Sequence, residues 1–260
     1  MGIVDTHIHL YGEAFDDDRS DLIEKAKAEG VSHFFLPAID STYTDRMKAL
    51  QKAYPQEVFL MSGLHPTHVN ENYKSELDHV YKELTQSSED YVAVGEIGID
   101  LYWDKTFVKE QTLSFETQIN WALSFDLPIV IHCRAAFDEI FEVLESYRSK
   151  PMCGIFHCFS GSLAQAQKAI DLGFKLGIGG VVTFKNGKID QFLNQLDLGS
   201  LVLETDAPYL APTPLRGTVN EPKNCYYTAK FLSELRECDY ESFTNQLYKN
   251  SISIFNKITT

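Results

Sequence analysis

Eight short apolar runs recur along the chain, at residues 3–4, 31–37, 58–62, 91–95, 128–131, 153–156, 174–178 and 201–203. Most are separated by stretches with helical periodicity, at 19–29, 44–53, 72–86, 107–125, 136–147, 163–172 and 188–196, and further helices are expected from Tyr226 onward. Strand and helix alternating eight times predicts parallel strands joined by crossover helices. At 260 residues the chain has the usual size of one (β/α)8 TIM barrel, so a single α/β barrel domain over residues 1–260, with C-terminal helices, is expected. The competing architecture is an open doubly wound sheet. No G-x-G-x-x-G or P-loop follows any run, and Gly177-Ile178-Gly179-Gly180 is only a weak approach to one.

The residues that close the runs carry the chemistry. Strand residues two apart project to the same side, so His7 and His9 emerge together beyond the first run. Glu96 closes the fourth, His132 the fifth, His157 the sixth and Asp206 the eighth. In a barrel all six lie on the C-terminal face, where active sites of this fold sit. Four imidazoles and two carboxylates there suit two divalent ions, with a carboxylate to bridge them. Any one of them, taken alone, could be a hydrogen-bonded core residue. A donor set of this kind accepts zinc, manganese or magnesium.

Composition narrows the partners. Lys and Arg number 23 against 37 Asp and Glu, a net charge of -14, which argues against a broad electrostatic grip on nucleic acid and leaves any such activity to a local site. Hydrophobic residues make up 44% of the chain, enough for a large core. The five cysteines are odd in number and lack C-x-x-C spacing, which fits reduced thiols and a cytoplasmic location. No run approaches a membrane span, and charged residues interrupt the N-terminal region where a signal peptide needs apolar ones. Residues 1–6 fit a loose myristoylation pattern, but a strand with ligands at its end cannot also offer its first residue to a lipid.

Asp5-Thr6-His7-Ile8-His9, Gly63-Leu64-His65-Pro66, Gly95-Glu96-Ile97-Gly98-Ile99-Asp100, Ile131-His132-Cys133-Arg134, Phe156-His157-Cys158-Phe159-Ser160-Gly161, Thr183-Phe184-Lys185-Asn186 and Leu203-Glu204-Thr205-Asp206-Ala207-Pro208-Tyr209-Leu210 follow one another along the chain, with Arg216-Gly217 and Asn220-Glu221-Pro222 after them. In kind and order these motifs resemble the TatD family of metal-dependent deoxyribonucleases, over essentially the whole length. The resemblance implies an amidohydrolase-like barrel with two divalent metal ions held by His7, His9, Glu96, His132, His157 and Asp206, Glu96 being the bridge. It also implies DNA as substrate and activity with magnesium.

Phosphodiester hydrolysis needs an activated water and relief of charge on the phosphoryl oxygens. Asp206 is the candidate to orient that water and take its proton, with Glu96 beside it. His65, at the end of the third run, is expected to contact a phosphate or leaving group, and Arg134, Lys185 and Arg216 to clamp phosphate oxygens. Tyr102, Trp103 and Tyr209 are placed for stacking on a base or for capping the barrel mouth. His68 has no firm assignment; His33 and His79 are assigned to structure, and Cys133 and Cys158 to packing away from the ions. A deep pocket suits chain ends better than the middle of a duplex; with the DNA substrate that the resemblance implies, the expectation is a 3'-5' exonuclease on single-stranded ends, without membrane partners. The alternatives are a hydrolase of a small phosphoester, lactone or amide on the same barrel, and a non-catalytic metal-binding protein, which the lack of thiolate ligands disfavours.

Overall fold

The computed structural model describes residues 2–255, 257 and 258; Met1, the first residue of the loose lipidation pattern, lies outside them. Eight parallel strands follow one another in chain order around a single sheet. They are β1 (Ile3–Asp5), β2 (Val31–Leu36), β3 (Val58–Ser62), β4 (Tyr91–Asp100), β5 (Ile129–Arg134), β6 (Gly154–Phe156), β7 (Phe174–Ile178) and β8 (Leu201–Leu203). The helices are α1 (Arg19–Ala28), α2 (Thr44–Ala53), α3 (Tyr73–Gln86), α4 (Val108–Phe125), α5 (Phe137–Glu145), α6 (Leu163–Asp171), α7 (Cys225–Leu235) and α8 (Tyr240–Ile252).

The ring closes between β1 and β8. Thr6 N donates to Leu203 O at 3.0 Å and Asp206 N to His7 O at 2.9 Å. Below them the buried Asp5 carboxylate accepts from Thr205 N at 2.9 Å and Thr205 Oγ1 at 2.6 Å. Burial pushes the Asp5 carboxyl up to about 8 despite these bonds.

Strand alternation sorts the core into two clusters. One lies between sheet and helices and takes Phe34 and Leu36 of β2, Leu60 of β3 and Leu201 and Leu203 of β8. The other takes the alternate residues, Val4, Phe35, Met61, Ala93, Val130, Ile155 and Val202, which fill the barrel. Ile254 and Phe255, beyond α8, complete it from below, the Phe255 ring stacking on Phe35 with centroids 4.1 Å apart. On β7 the equivalent position is Gly177, where a Cβ would lie 2.1 Å from Glu204 Oε2; the carboxylate of Glu204 occupies the space a side chain would need.

Three boundaries differ from the sequence expectation. β4 runs on through Glu96 to Asp100 and β5 through His132 to Arg134, since the two continue to pair beyond Ile97 and Ile131. Residues 188–196 do not form an α-helix. They make two 3-10 turns, Ile189–Gln191 and Leu193–Gln195, because Arg236 Nη2 donates to the carbonyls of Leu193, at 2.8 Å, and Leu196, replacing the amides of a continued helix. Among the described residues no helix is long and apolar enough to cross a membrane.

Candidate active site

The strand ends bring His7, His9, Glu96, His132, His157 and Asp206 together on one face, with His65 joining them from the end of β3. Glu96 is the hub, and its two oxygens face different partners. Oε2 lies 3.1 Å from His7 Nε2 and 3.9 Å from His9 Nε2. Oε1 lies 2.8 Å from His132 Nδ1, 2.9 Å from His157 Nε2 and 3.2 Å from His65 Nε2. Asp206 Oδ1 stands on the Oε2 side, 3.4 Å from His9 Nε2 and 3.8 Å from His7 Nε2.

Burial governs the charges here. It would push the Glu96 carboxyl up, but His157, His65, His7 and His132 outweigh it and hold the group well below the usual carboxylate range. His7 is pushed down by burial and by the His157 ring stacked on it at 3.7 Å. His65 is pushed down to about 4, chiefly by burial. For His132 and His157 burial is overcome by carboxylates, Asp100 and Glu96 for the first and Glu96 and Glu204 for the second, and both are raised.

The donor set fits divalent cations. Both ring nitrogens of His7 and Nδ1 of His157 are buried without a hydrogen-bond partner. His7 Nε2 approaches Glu96 Oε2, but not in hydrogen-bonding geometry. Buried lone pairs of this kind, interleaved with two carboxylates, are what a bound cation satisfies. Three overlapping sets, His7–His157–Asp206, His7–His9–Glu96 and His65–Glu96–His132, have donor atoms within 4.8 Å of one another.

A cavity of about 390 Å³ opens above the cluster, lined among others by His9, His65, His68, Glu96, Trp103, His132, Arg134, His157, Asp206 and Tyr209. The Arg134 guanidinium lies 4.5 Å over the Tyr102 ring. Trp103 is 69% and Tyr209 56% exposed, leaving broad aromatic faces at the mouth. Lys185 and Arg216 are exposed on the loops after β7 and β8 and do not line the cavity. Arg216 instead stacks 4.4 Å above Phe184, and Thr213 N donates to Thr183 Oγ1 at 2.8 Å, tying the two loops together. His68 Nδ1 lies 2.6 Å from Asp40 Oδ2. His33, stacked on Phe59, and His79, bonded to Thr44, serve structure. Cys133 and Cys158 are half-buried.

The turn that carries Asp206 is held from behind. Asp206 has a left-handed φ of 56°, and Asn220 Nδ2 donates to the carbonyls of Thr205 and Tyr209, both at 2.8 Å, on either side of it. Four residues touching the cluster or its turn were given no role by the sequence reading: Tyr11, which lies in none of the family motifs, and Asp100, Glu204 and Asn220, which appear there only as motif members. Tyr11 Oη is 2.9 Å from His9 Nδ1, Asp100 Oδ2 is 2.9 Å from His132 Nε2, and Glu204 Oε1 is 3.4 Å from His157 Nδ1 while accepting from Cys158 N at 2.6 Å. Strand periodicity signals the first three: Tyr11 stands two beyond His9, Asp100 four beyond Glu96 on the same strand face, and Glu204 two beyond Val202.

Comparison with known proteins agrees with this geometry. Residues 4–256 match the family model described as TatD related DNase. A Bacillus subtilis protein, the uncharacterized metal-dependent hydrolase YabD, is 34% identical over 254 residues, 97% of this chain and 98% of the relative. The crystal structure of YJJV, a TatD homolog from Escherichia coli K12, superposes with a TM-score of 0.92 at 30% identity, covering 98% of both chains. A 3'-5' ssDNA/RNA exonuclease TatD from Pantoea ananatis is 26% identical over 260 residues, 98% of this chain and 99% of the relative. With a donor set that could hold metal ions at the strand ends of a (β/α)8 barrel, the chain belongs to the TatD family of metal-dependent hydrolases.

Proposed function

We propose that the chain is a cytoplasmic 3'-5' exonuclease that hydrolyses phosphodiester bonds at single-stranded DNA ends, with residues 1–260 forming one catalytic domain and two divalent ions, magnesium, manganese or zinc, at its centre. The observation that carries the two-ion reading is the division of Glu96, one oxygen turned to His7 and His9, the other to His132 and His157. In this reading His7, His9 and Asp206 would hold one ion and His132 and His157 the other, with Glu96 shared between them. When bound, the ions supply Lewis-acid activation of water and positive charge against the phosphoryl oxygens.

The chain's own groups do the rest. Asp206, at the rim of the cluster on a clamped turn, orients the attacking water and takes its proton. His65 contacts the phosphate or the leaving oxygen, and Arg134, already stacked on Tyr102, holds a phosphate at the cavity wall. Lys185 and Arg216, on the two stitched loops, hold the next phosphates outside the cavity. Trp103 and Tyr209 present faces on which terminal bases stack. The family match and the Pantoea ananatis relative support DNA and the 3'-5' direction.

The test is release of mononucleotides from end-labelled single-stranded DNA with magnesium or manganese, by the native protein and by Asp206→Asn. Stepwise loss from the 3' end, abolished in the variant, is expected. The confined cavity and acidic surface favour a second reading, a small phosphoester, lactone or amide as substrate. Intact DNA together with turnover of such a compound would replace the first reading by the second.

A further inference from the structure

A neutral imidazole carries one N–H and one lone pair, and a cation takes only the lone pair. Which nitrogen of a histidine can serve as ligand is therefore decided by what the other nitrogen bonds to.

At His9 the answer follows from a chain of two bonds. The carbonyl oxygen of Pro37 only accepts, so the Tyr11 hydroxyl, 2.6 Å away, donates its hydrogen to it. That hydrogen is then used. The 2.9 Å contact between Tyr11 Oη and His9 Nδ1 closes only if Nδ1 is the donor. His9 keeps its lone pair on Nε2, which lies 3.4 Å from Asp206 Oδ1 and 3.9 Å from Glu96 Oε2. His65 is set the opposite way. The backbone amide of Thr67 only donates, and it lies 3.1 Å from His65 Nδ1, so that nitrogen holds the lone pair and Nε2 carries the hydrogen. His65 Nε2 points at Glu96 Oε1 and His132 Nδ1, each 3.2 Å away. It is a donor, although its position beside Glu96 and His132 resembles that of a ligand.

We infer that Tyr11 is a positioning residue of the metal centre: by giving its proton to Pro37 it fixes His9 as the Nδ1–H tautomer, whose Nε2 lone pair faces the cluster. The inference rests on the reading of His9 as a ligand. Tyr11 is itself fully buried and lines no part of the cavity, so its influence on the ions passes only through the imidazole. Thr67 does the reverse for His65, and sorts that ring out of the ligand set. Without the Tyr11 hydroxyl, His9 Nδ1 loses its acceptor and the ring is free to place its hydrogen on Nε2, where it blocks coordination.

The test uses the full-length protein loaded with zinc, its histidine ring nitrogens labelled with 15N and His9 assigned by loss of its signals in His9→Gln. His9 is expected to show a protonated Nδ1 and a zinc-shifted Nε2, and His65 a protonated Nε2 with no zinc shift. Tyr11→Phe, with far-UV circular dichroism unchanged, is expected to weaken zinc binding in chelator competition about 10- to 100-fold. A His9 ring protonated at Nε2 overturns the inference and leaves the rest of the metal centre standing. A ring protonated at Nδ1 without a zinc shift removes the ligand reading beneath it. Unchanged zinc affinity in a folded Tyr11→Phe protein also overturns it, whereas the ring spectrum of the native protein decides the tautomer even if that variant does not fold.

Discussion

Asp100 Oδ2 lies 2.9 Å from His132 Nε2, on the side of the ring opposite Glu96. The other oxygen of Asp100 accepts the amides of Tyr102 and Trp103, at 2.9 and 3.0 Å, so the carboxylate is held in place independently of the histidine. A carboxylate so fixed keeps the imidazole oriented and basic. Asp100→Asn is expected to reduce divalent-metal affinity by about 10- to 100-fold, measured by titration calorimetry with manganese. Affinity within a factor of two of native would show that Asp100 only shapes the loop.

Asp206 is argued to take the proton of the attacking water. Asp206→Asn keeps the shape of the turn but removes the base, and kcat on single-stranded DNA is expected to fall by about 10²- to 10⁴-fold. Single-turnover measurements at saturating metal separate this from loss of ions. If activity returned fully at high metal concentration, Asp206 would be a ligand without a proton-transfer role.

Asn220 holds that turn through two carbonyls, and its own Oδ1 accepts from Asn224 Nδ2 at 3.0 Å. Asn220→Ala leaves buried carbonyls unpaired, at a cost of about 1–3 kcal/mol. The expected signature is a lowered urea midpoint together with a lowered kcat, because the displaced group is Asp206. A stability loss at unchanged kcat would confine Asn220 to structure.

Glu83 lies between Lys48 Nζ, at 2.5 Å, and the Tyr91 hydroxyl, at 2.7 Å. Partial burial pushes its carboxyl up, but Lys48 and Tyr91 outweigh burial and the group sits below its ordinary value. The unfolded chain then binds this proton more tightly than the folded one. The pair therefore adds stability above the ordinary glutamate pKa of about 4.3, and loses it as the pH falls through the lower folded value. Glu83→Gln is expected to cost about 1 kcal/mol at neutral pH, since solvent screens the pair, and to match the native protein once the pH lies below the lowered folded value. Urea midpoints at both pH values decide it, and an equal gap at each would refute the linkage.

Phe255 is fully buried beneath the barrel and stacked on Phe35. Phe255→Ala is expected to destabilise the fold by about 3–5 kcal/mol. Metal affinity of the folded fraction should stay native, because the ring lies at the opposite end of the barrel from the cluster. Loss of metal affinity in protein that remains folded would show coupling along the barrel axis.

The barrel is legible because its strands are short apolar runs at regular spacing, and the six cluster residues because each stands at or near the end of a run. What escapes lies in how far each strand continues. A β4 that stops at Gly95 leaves Asp100 in a loop, although it shares a strand face with Glu96. Tyr11 escapes because its effect depends on a bond to Pro37 across the fold, and Asn220 because its partners are backbone carbonyls, which leave no mark in composition. Residues 188–196 read as a helix from spacing alone, but Arg236 is the group that decides otherwise, and it lies on a distant segment. Arg134, Lys185 and Arg216 are expected to clamp phosphate from charge and loop position, Lys185 and Arg216 being favoured by their places in the family motifs, yet of the three only Arg134 lines the cavity.

The clasp between Asp5 and Thr205 joins residues 200 positions apart in the sequence. Closing so long a loop carries an entropic cost that only the finished ring of strands repays. Asp206 follows directly after this clasp, and His7 stands two residues past its other half. A half-assembled chain thus holds His7 and Asp206 apart, and the full donor set comes together only with the completed topology.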